Sequence, residues 1–294
     1  MNDRTQFLGA SEVSAIVGLN PFCTPLKLYA LKTKLILPEP ETESQEWGKR
    51  LERVVSNKFS ENHKVKLIAR KVRYFHPKHG FISCELDNII ALTDELVEAK
   101  TVNAYDWKKW ADPNQIPEYI IVQVMMQLGL AKRKKAWVAC LCGGQKYIEK
   151  EILFDEEFYN MLVEKCIKFW DMVQNKVPPA CCADDNETLL ALYPKSDEQI
   201  QAMQEMNDCI ATLQKTKLDI KELETHKDEL EAKLKEVIKD NLGIKTSEYV
   251  VKWTPQTTSR LNYDALKEDG LYDKYLVKTE TRRLTVNKNK EVQQ

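Results

Sequence analysis

Leu96-Val97-Glu98-Ala99-Lys100 reads as an apolar strand end that carries a carboxylate and an ammonium two residues apart. Strand side chains alternate between faces, so Glu98 and Lys100 project from the same one. Upstream, Phe81–Leu86 and Ile89–Leu92 also read as strands, with Asp87 between them and eleven residues before Glu98. A short turn at Thr93-Asp94-Glu95 folds the chain back and sets Asp87 beside the pair. The spacing predicts two carboxylates and one ammonium at the end of a hairpin.

That trio is the minimum equipment for holding Mg²⁺ and activating a water against a phosphodiester. Glu-x-Lys alone carries little weight, since Glu231-Ala232-Lys233 repeats it within a charged helical stretch. There the two side chains lie about 200° apart around the axis, because a helix turns ~100° per residue. The apolar strand and the upstream Asp set Glu98-Ala99-Lys100 apart, although a salt-bridged pair on an exposed strand end fits the same residues. Two further positions bear on the choice. Glu52 reads either as an outer or second-metal carboxylate, or as a helix-surface Glu paired with a neighbouring base. Gln123, a polar residue among Ile121, Val122, Val124 and Met125, needs a partner if buried. It could satisfy backbone, or hold Lys100 and a scissile phosphate in register.

Bulk properties narrow the class. A 294-residue chain can bury a substantial core. Its formal net charge of −1 disfavours a protein that passively coats nucleic acid, leaving local basic runs at Lys64–Arg73 and Lys132–Lys135. Each run taken alone reads as a solvated loop. No apolar run approaches a membrane span, and the polar start Met1-Asn2-Asp3-Arg4 is unlike a signal peptide. The eight cysteines are scattered without Cys-x-x-Cys pairing, which points to thiols in a reducing, cytoplasmic setting rather than zinc or disulfides. No phosphate-cradling Gly-rich loop ending in Lys-Ser or Lys-Thr is present, which argues against a built-in motor.

Along the chain, Ser11 sits where a helix cap is expected, and Thr24-Pro25 starts a second helix. Trp47–Phe59 is amphipathic. Strands follow at 65–68, 72–75, 81–86, 89–92 and 96–101, then a helix opened by Pro117, strands at 136–142 and 147–153, and a helix over 155–174. Residues 1–180 read as one α/β domain and 181–195 as a linker. Ser196-Asp197-Glu198-Gln199 is a capping-box signature that launches a charged helix or helical hairpin over 196–242, with Gly243 as its stop. Lys217 and Lys227 interrupt its apolar seam. A small α/β segment over 243–286, closing with a strand at Arg282–Val286, and a disordered tail over 287–294 complete the expectation. Trp107 and Trp110 read as packing under the Pro113 loop, with stacking on a frayed DNA end as the alternative.

Taken in order, several motifs resemble the lambda-exonuclease-like, YqaJ-type viral recombinases of the PD-(D/E)xK nuclease superfamily. They are Arg4, Leu8-Gly9-Ala10-Ser11-Glu12, Gly18-Leu19-Asn20-Pro21-Phe22, Trp47-Gly48-Lys49-Arg50-Leu51-Glu52, Leu86-Asp87-Asn88, Val97-Glu98-Ala99-Lys100, and Pro117 to Gln127. The resemblance implies a restriction-endonuclease-like core, a mixed central sheet flanked by helices, with the long C-terminal helix as an addition. It implies Mg²⁺, with Mn²⁺ able to substitute, on Asp87, Glu98 and the Ala99 carbonyl. Glu52 would complete the metal environment, Lys100 would orient or deprotonate the attacking water, and Gln123 would support the site. Arg4 and Ser11 match positions that grip a 5′-phosphate.

The expected activity is 5′→3′ digestion of double-stranded DNA from its ends, leaving 3′ single strands. A single-strand annealing protein is the implied partner, and homo-oligomerisation is implied as well. A non-catalytic DNA-end-binding scaffold and a structure-specific endonuclease are the alternatives on the same fold.

Overall fold

The computed structural model describes residues 3–69, 72–106, 110, 115–196, 200 and 203–277. The chain divides into two compact units, residues 1–193 and 194–294. In the first unit a 3₁₀ turn at Arg4–Gln6 leads into strand β1 (Leu8–Gly9) and helix α1 (Ala10–Ile16). Helix α2 (Pro25–Lys32) begins at Thr24, whose hydroxyl accepts from the Lys27 N–H, with Pro25 in the first turn where its missing donor costs nothing. Helix α3 (Glu43–His63) starts ahead of its apolar stripe, where Thr42 and Gln45 cap each other reciprocally, and ends on Lys64 in the left-handed region.

Strands β2 (Leu67–Ala69), β3 (Tyr74–Phe75), β4 (Ile82–Cys84), β5 (Asn88–Ile90) and β6 (Leu96–Val102) follow. Helix α4 (Glu118–Ala131) then crosses to β7 (Lys135–Cys142), which is followed by β8 (Lys146–Leu153), helix α5 (Glu156–Asn175) and short helix α6 (Asn186–Leu192). The main sheet has the order β2-β5-β6-β7-β8, and a smaller one the order β1-β4-β3. Strands β6 and β7 are parallel, as a helical crossover requires, and the other pairs of the main sheet are antiparallel.

Each face of the main sheet is covered. Val55 and Phe59 of α3 pack on Ile90, Val97 and Ala139 on one side. On the other, α1, α4 and α5 bury Leu96, Ala136, Val138 and Cys140 in the principal core. Alternation along β6 therefore assigns Leu96, Glu98 and Lys100 to the α4 side. Helix α4 is apolar nearly all round because it lies inside this core. Gly129 permits its approach to α5: a Cβ there would fall 2.2 Å from the Tyr159 ring.

Three local expectations are corrected. Ser11 is not the cap of α1: Gly9 is, and Glu12 returns its carboxylate to the Gly9 N–H at 2.8 Å. Pairing of Leu8 and Gly9 with Ile82 and Ser83 brings the chain to the helix start two residues early. In the second unit, the long helix is a single rod, α7 (Asn207–Ile238), entered through a 3₁₀ turn at Gln204–Met206 rather than launched at Ser196. It ends at Ile238, and Gly243 is instead the first residue of β9 (Gly243–Lys245), where a Cβ would meet the Val251 carbonyl at 2.1 Å. Strand β10 (Val250–Lys252) and helices α8 (Tyr263–Glu268) and α9 (Leu271–Tyr275) complete the described part. The expected strand at Arg282–Val286, the capping residues 197–199 and Trp107 lie outside the described residues. Trp110 is buried in the principal core, and no helix among the described residues is long and apolar enough to cross a membrane.

Phe59 is wholly buried in the small cluster that seats α3 on the sheet. Phe59→Ala is expected to lower stability by about 3–5 kcal/mol in urea denaturation, the usual range for deleting a buried aromatic ring.

Candidate active site

The hairpin of β5 and β6 builds the site. Its turn is closed by Asp94, whose φ of 60° falls in the left-handed region that Asp tolerates, and whose N–H donates to the Ile90 carbonyl at 2.9 Å. The resulting register sets Asn88 opposite Val97, so Asp87 stands opposite Glu98 one step further along. Asp87 Oδ2 accepts from the Ala99 N–H at 3.0 Å.

Glu98 is 4% exposed, and both its oxygens are engaged. Oε1 accepts from Lys100 Nζ at 2.6 Å and from Gln123 Nε2. Oε2 accepts from Gln127 Nε2 at 2.7 Å. Lys100 Nζ also donates to Gln123 Oε1 at 3.0 Å, so Gln123 spans the ion pair. Thus Asp87, the Glu98–Lys100 pair and Gln123, chosen from three separate stretches of sequence pattern, meet at one place. Gln127 belongs with them but was not singled out by sequence reasoning. Neither was Tyr119, whose charge, if ionised, is felt at Lys100 and whose ring meets Phe22 edge-on at 6.2 Å. Tyr119, Gln123 and Gln127 recur every four residues, and that polar stripe in an otherwise apolar helix was the available signal.

Electrostatics sharpen the picture. Burial pushes the Asp87 carboxyl well above the usual carboxylate range, and the charges of Glu98 and Glu52 push the same way. The Ala99 N–H and the Lys100 ammonium oppose the shift without cancelling it. For Lys100, burial works against the charge, but Glu98 and Asp87 outweigh it and hold the ammonium above its ordinary value. Glu52 comes from α3, over the opposite face of the sheet, one turn before Ser56, which accepts from the Asn88 amide at 2.9 Å.

Among the described residues, no three His, Cys, Asp or Glu side chains close into a metal-binding group. Mg²⁺ does not require that, since it is commonly held by one or two carboxylates with waters and substrate phosphates. Asp87 and Glu98, adjacent and mutually repelling, fit such a donor set. A cation would oppose the burial and like charge that lift Asp87.

Arg4 and Ser11 are not part of this cluster. Both are exposed. The buried Lys32 ammonium ties their segments together, donating to the Arg4 carbonyl at 2.7 Å, the Phe7 carbonyl at 2.8 Å and Glu12 Oε2 at 2.7 Å. Among the described residues, no hydrogen bond joins Arg4 or Ser11 to the Glu98 group, although α1 packs against α4. The basic runs are partly neutralised: Arg133 pairs with Asp94 at 2.7 Å, Lys135 with Glu151 at 2.9 Å, and Arg73 with Glu85 at 2.6 Å.

Residues 1–134 match the model of the YqaJ-like viral recombinase domain. A Bacillus subtilis (strain 168) protein, "Uncharacterized protein YqaJ", is 31% identical, the match covering 97% of this chain and 92% of the relative. The chain belongs to the YqaJ-like viral recombinase family. Among solved structures, it is similar to the alkaline exonuclease LHK-Exo of Laribacter hongkongensis at a TM-score of 0.52, with 14% identity over 59% of this chain and 91% of that one. The same exonuclease in complex with dAMP also scores 0.52, with 15% identity. At such identity the likeness establishes the fold alone, a mixed sheet flanked by helices.

A carboxyl whose folded-state value is raised binds its proton more readily folded than unfolded. Stability is therefore full below the ordinary Asp range and is lost as pH climbs through the raised value. Asp87→Asn removes that cost. The metal-free variant is expected to melt a few degrees above wild type at pH 8 and level with it at pH 4. Scanning calorimetry in chelator checks this, and equal melting at pH 8 would contradict the electrostatic reading.

Proposed function

We propose that the chain is a Mg²⁺-dependent 5′→3′ exonuclease of double-stranded DNA that leaves 3′ single-stranded tails for an annealing partner. The observation that carries this reading is the Asp87, Glu98, Lys100 and Gln123 cluster: two repelling carboxylates beside a charged amine bridged by an amide. Membership of the recombinase family and a fold shared with an alkaline exonuclease support it.

In this reading Asp87 and Glu98, with the Ala99 carbonyl and the charge of Glu52, would hold Mg²⁺. Bound there, the ion would stabilise charge at the attacking and leaving oxygens of the phosphodiester. Lys100 is kept protonated by its carboxylate neighbours. That favours orienting the attacking water and the phosphate over accepting a proton from water. Gln123 locks the amine's direction, leaving one Lys100 proton to aim at substrate. Arg4 and Ser11, on segments that Lys32 ties together, would take the 5′-phosphate, for which a guanidinium and a first-turn hydroxyl are suited.

Linear duplex incubated with the protein should shorten with Mg²⁺ and stay intact in EDTA. Asp87→Ala and Lys100→Ala should each reduce the rate about 10²-fold or more, the scale of removing one charge-stabilising group. Covalently closed circles should survive. Retardation of linear DNA without shortening would favour the scaffold reading, and cut circles the endonuclease. Separately, Arg4→Ala should slow digestion of 5′-phosphorylated ends while leaving 5′-hydroxyl ends at the wild-type rate. An equal loss on both ends would remove Arg4 from the end-binding role.

A further inference from the structure

Helix α7 carries an apolar stripe that the described chain leaves largely open. Ile220 is 50% exposed, Leu223 68%, Leu230 47% and Val237 64%. An unpaired 32-residue helix rich in charge has little reason to persist in water with these groups bare. The stripe follows a strict seven-residue repeat. First positions fall at Met206, Leu213, Ile220, Lys227 and Leu234, and fourth positions at Cys209, Thr216, Leu223, Leu230 and Val237. Such a repeat is the signature of a left-handed two-stranded coil. Thr216 and Lys227 break the apolar seam, whereas Lys217, expected from the sequence to interrupt it, falls on its flank.

Those two exceptions decide the geometry. In a parallel pair, each seam residue meets its own copy, so two Lys227 ammoniums would share one layer. The flanking Asp219 and Glu224 would also face each other with like charge. In an antiparallel pair, first positions meet fourth positions. The register with full overlap then sets Met206 against Val237, Cys209 against Leu234, and Leu213 against Leu230. Ile220 meets Leu223, and Thr216 meets Lys227. Every layer is apolar except the symmetry-related two in which both polar residues coincide, with the Lys227 amine able to reach the Thr216 hydroxyl and then solvent. The flanks agree: Lys217 faces Glu224 of the other copy, and Asp219 faces His226, each twice by symmetry.

We propose that α7 is a self-association element, pairing antiparallel with α7 of a second copy of this chain in that register. A two-fold pair of this kind joins chains in even numbers and presents two first units on one rod.

The test uses the full chain. Native mass spectrometry at micromolar concentration should find species with an even number of chains. Ile220→Glu should weaken the pairing about 100-fold or more. Leu218→Glu, on the far side of the helix, should leave it unchanged. Leu234→Cys under mild oxidation should cross-link two chains, and the cross-link should vanish when Cys209→Ser is added. A monomer, or an Ile220→Glu variant that pairs as wild type does, would overturn the proposal. So would a Leu234→Cys cross-link that persists without Cys209, because the proposed register makes that thiol its partner.

Discussion

A carboxylate buried in a protein core must be bonded at every lone pair it cannot expose, or the fold loses several kcal/mol. Glu98 is that group here. At 4% exposed it takes donors from Lys100 on its own strand and from Gln123 and Gln127 on α4. The crossover from β6 to β7 therefore cannot choose its rotation freely. Helix α4 must turn its polar stripe to Glu98, and its remaining surface then supplies much of the principal core. One buried charge thus ties the strand pairing, the helix orientation and the site into a single arrangement.

Asp87 is set differently. Burial lifts its carboxyl, the charges of Glu98 and Glu52 add to the shift, and its one backbone donor and Lys100 do not cancel it. Glu98 is satisfied and Asp87 is under pressure, although they face each other across two adjacent strands. Such a pairing of a settled and an unsettled acid is costly for an empty fold and useful for one that receives a cation with substrate. In the proposed reading the first acid supplies rigidity and the second would supply affinity for the ion. The same environment keeps Lys100 charged, so the cluster sets one fixed positive group beside an acid whose ionisation its surroundings oppose.

Much of this was legible in residue pattern because it depends on local periodicity. Period-two alternation located β6 and placed Glu98 with Lys100, and the apolar run after Pro117 located α4. Asp87 followed from the turn at Thr93–Glu95. What escaped was decided by distant partners. Gln127 looks like one more polar residue in a helix until Glu98 is known to be buried. The cap of α1 moved from Ser11 to Gly9 because β1 pairs with β4, and that pairing has no local signal. The end of α7 moved from Gly243 to Ile238 for a related reason, since Gly243 serves the close approach of β9 and β10.

The match between α4 and β6 rests on two periods that nearly coincide. Four helical residues advance about 6 Å along the axis, and two strand residues about 6.7 Å. Tyr119, Gln123 and Gln127 can therefore keep step with Lys100 and Glu98, Gln123 reaching both and Gln127 reaching only the deeper acid. The match is short-lived, because the mismatch grows with each repeat. It is also intolerant of insertion: one residue added to α4 would swing the stripe by about 100°, and one added to β6 would reverse its faces. A site built this way spans few residues and admits no change of length. That is why its parts can be so widely separated in the chain and still be found by spacing within each element.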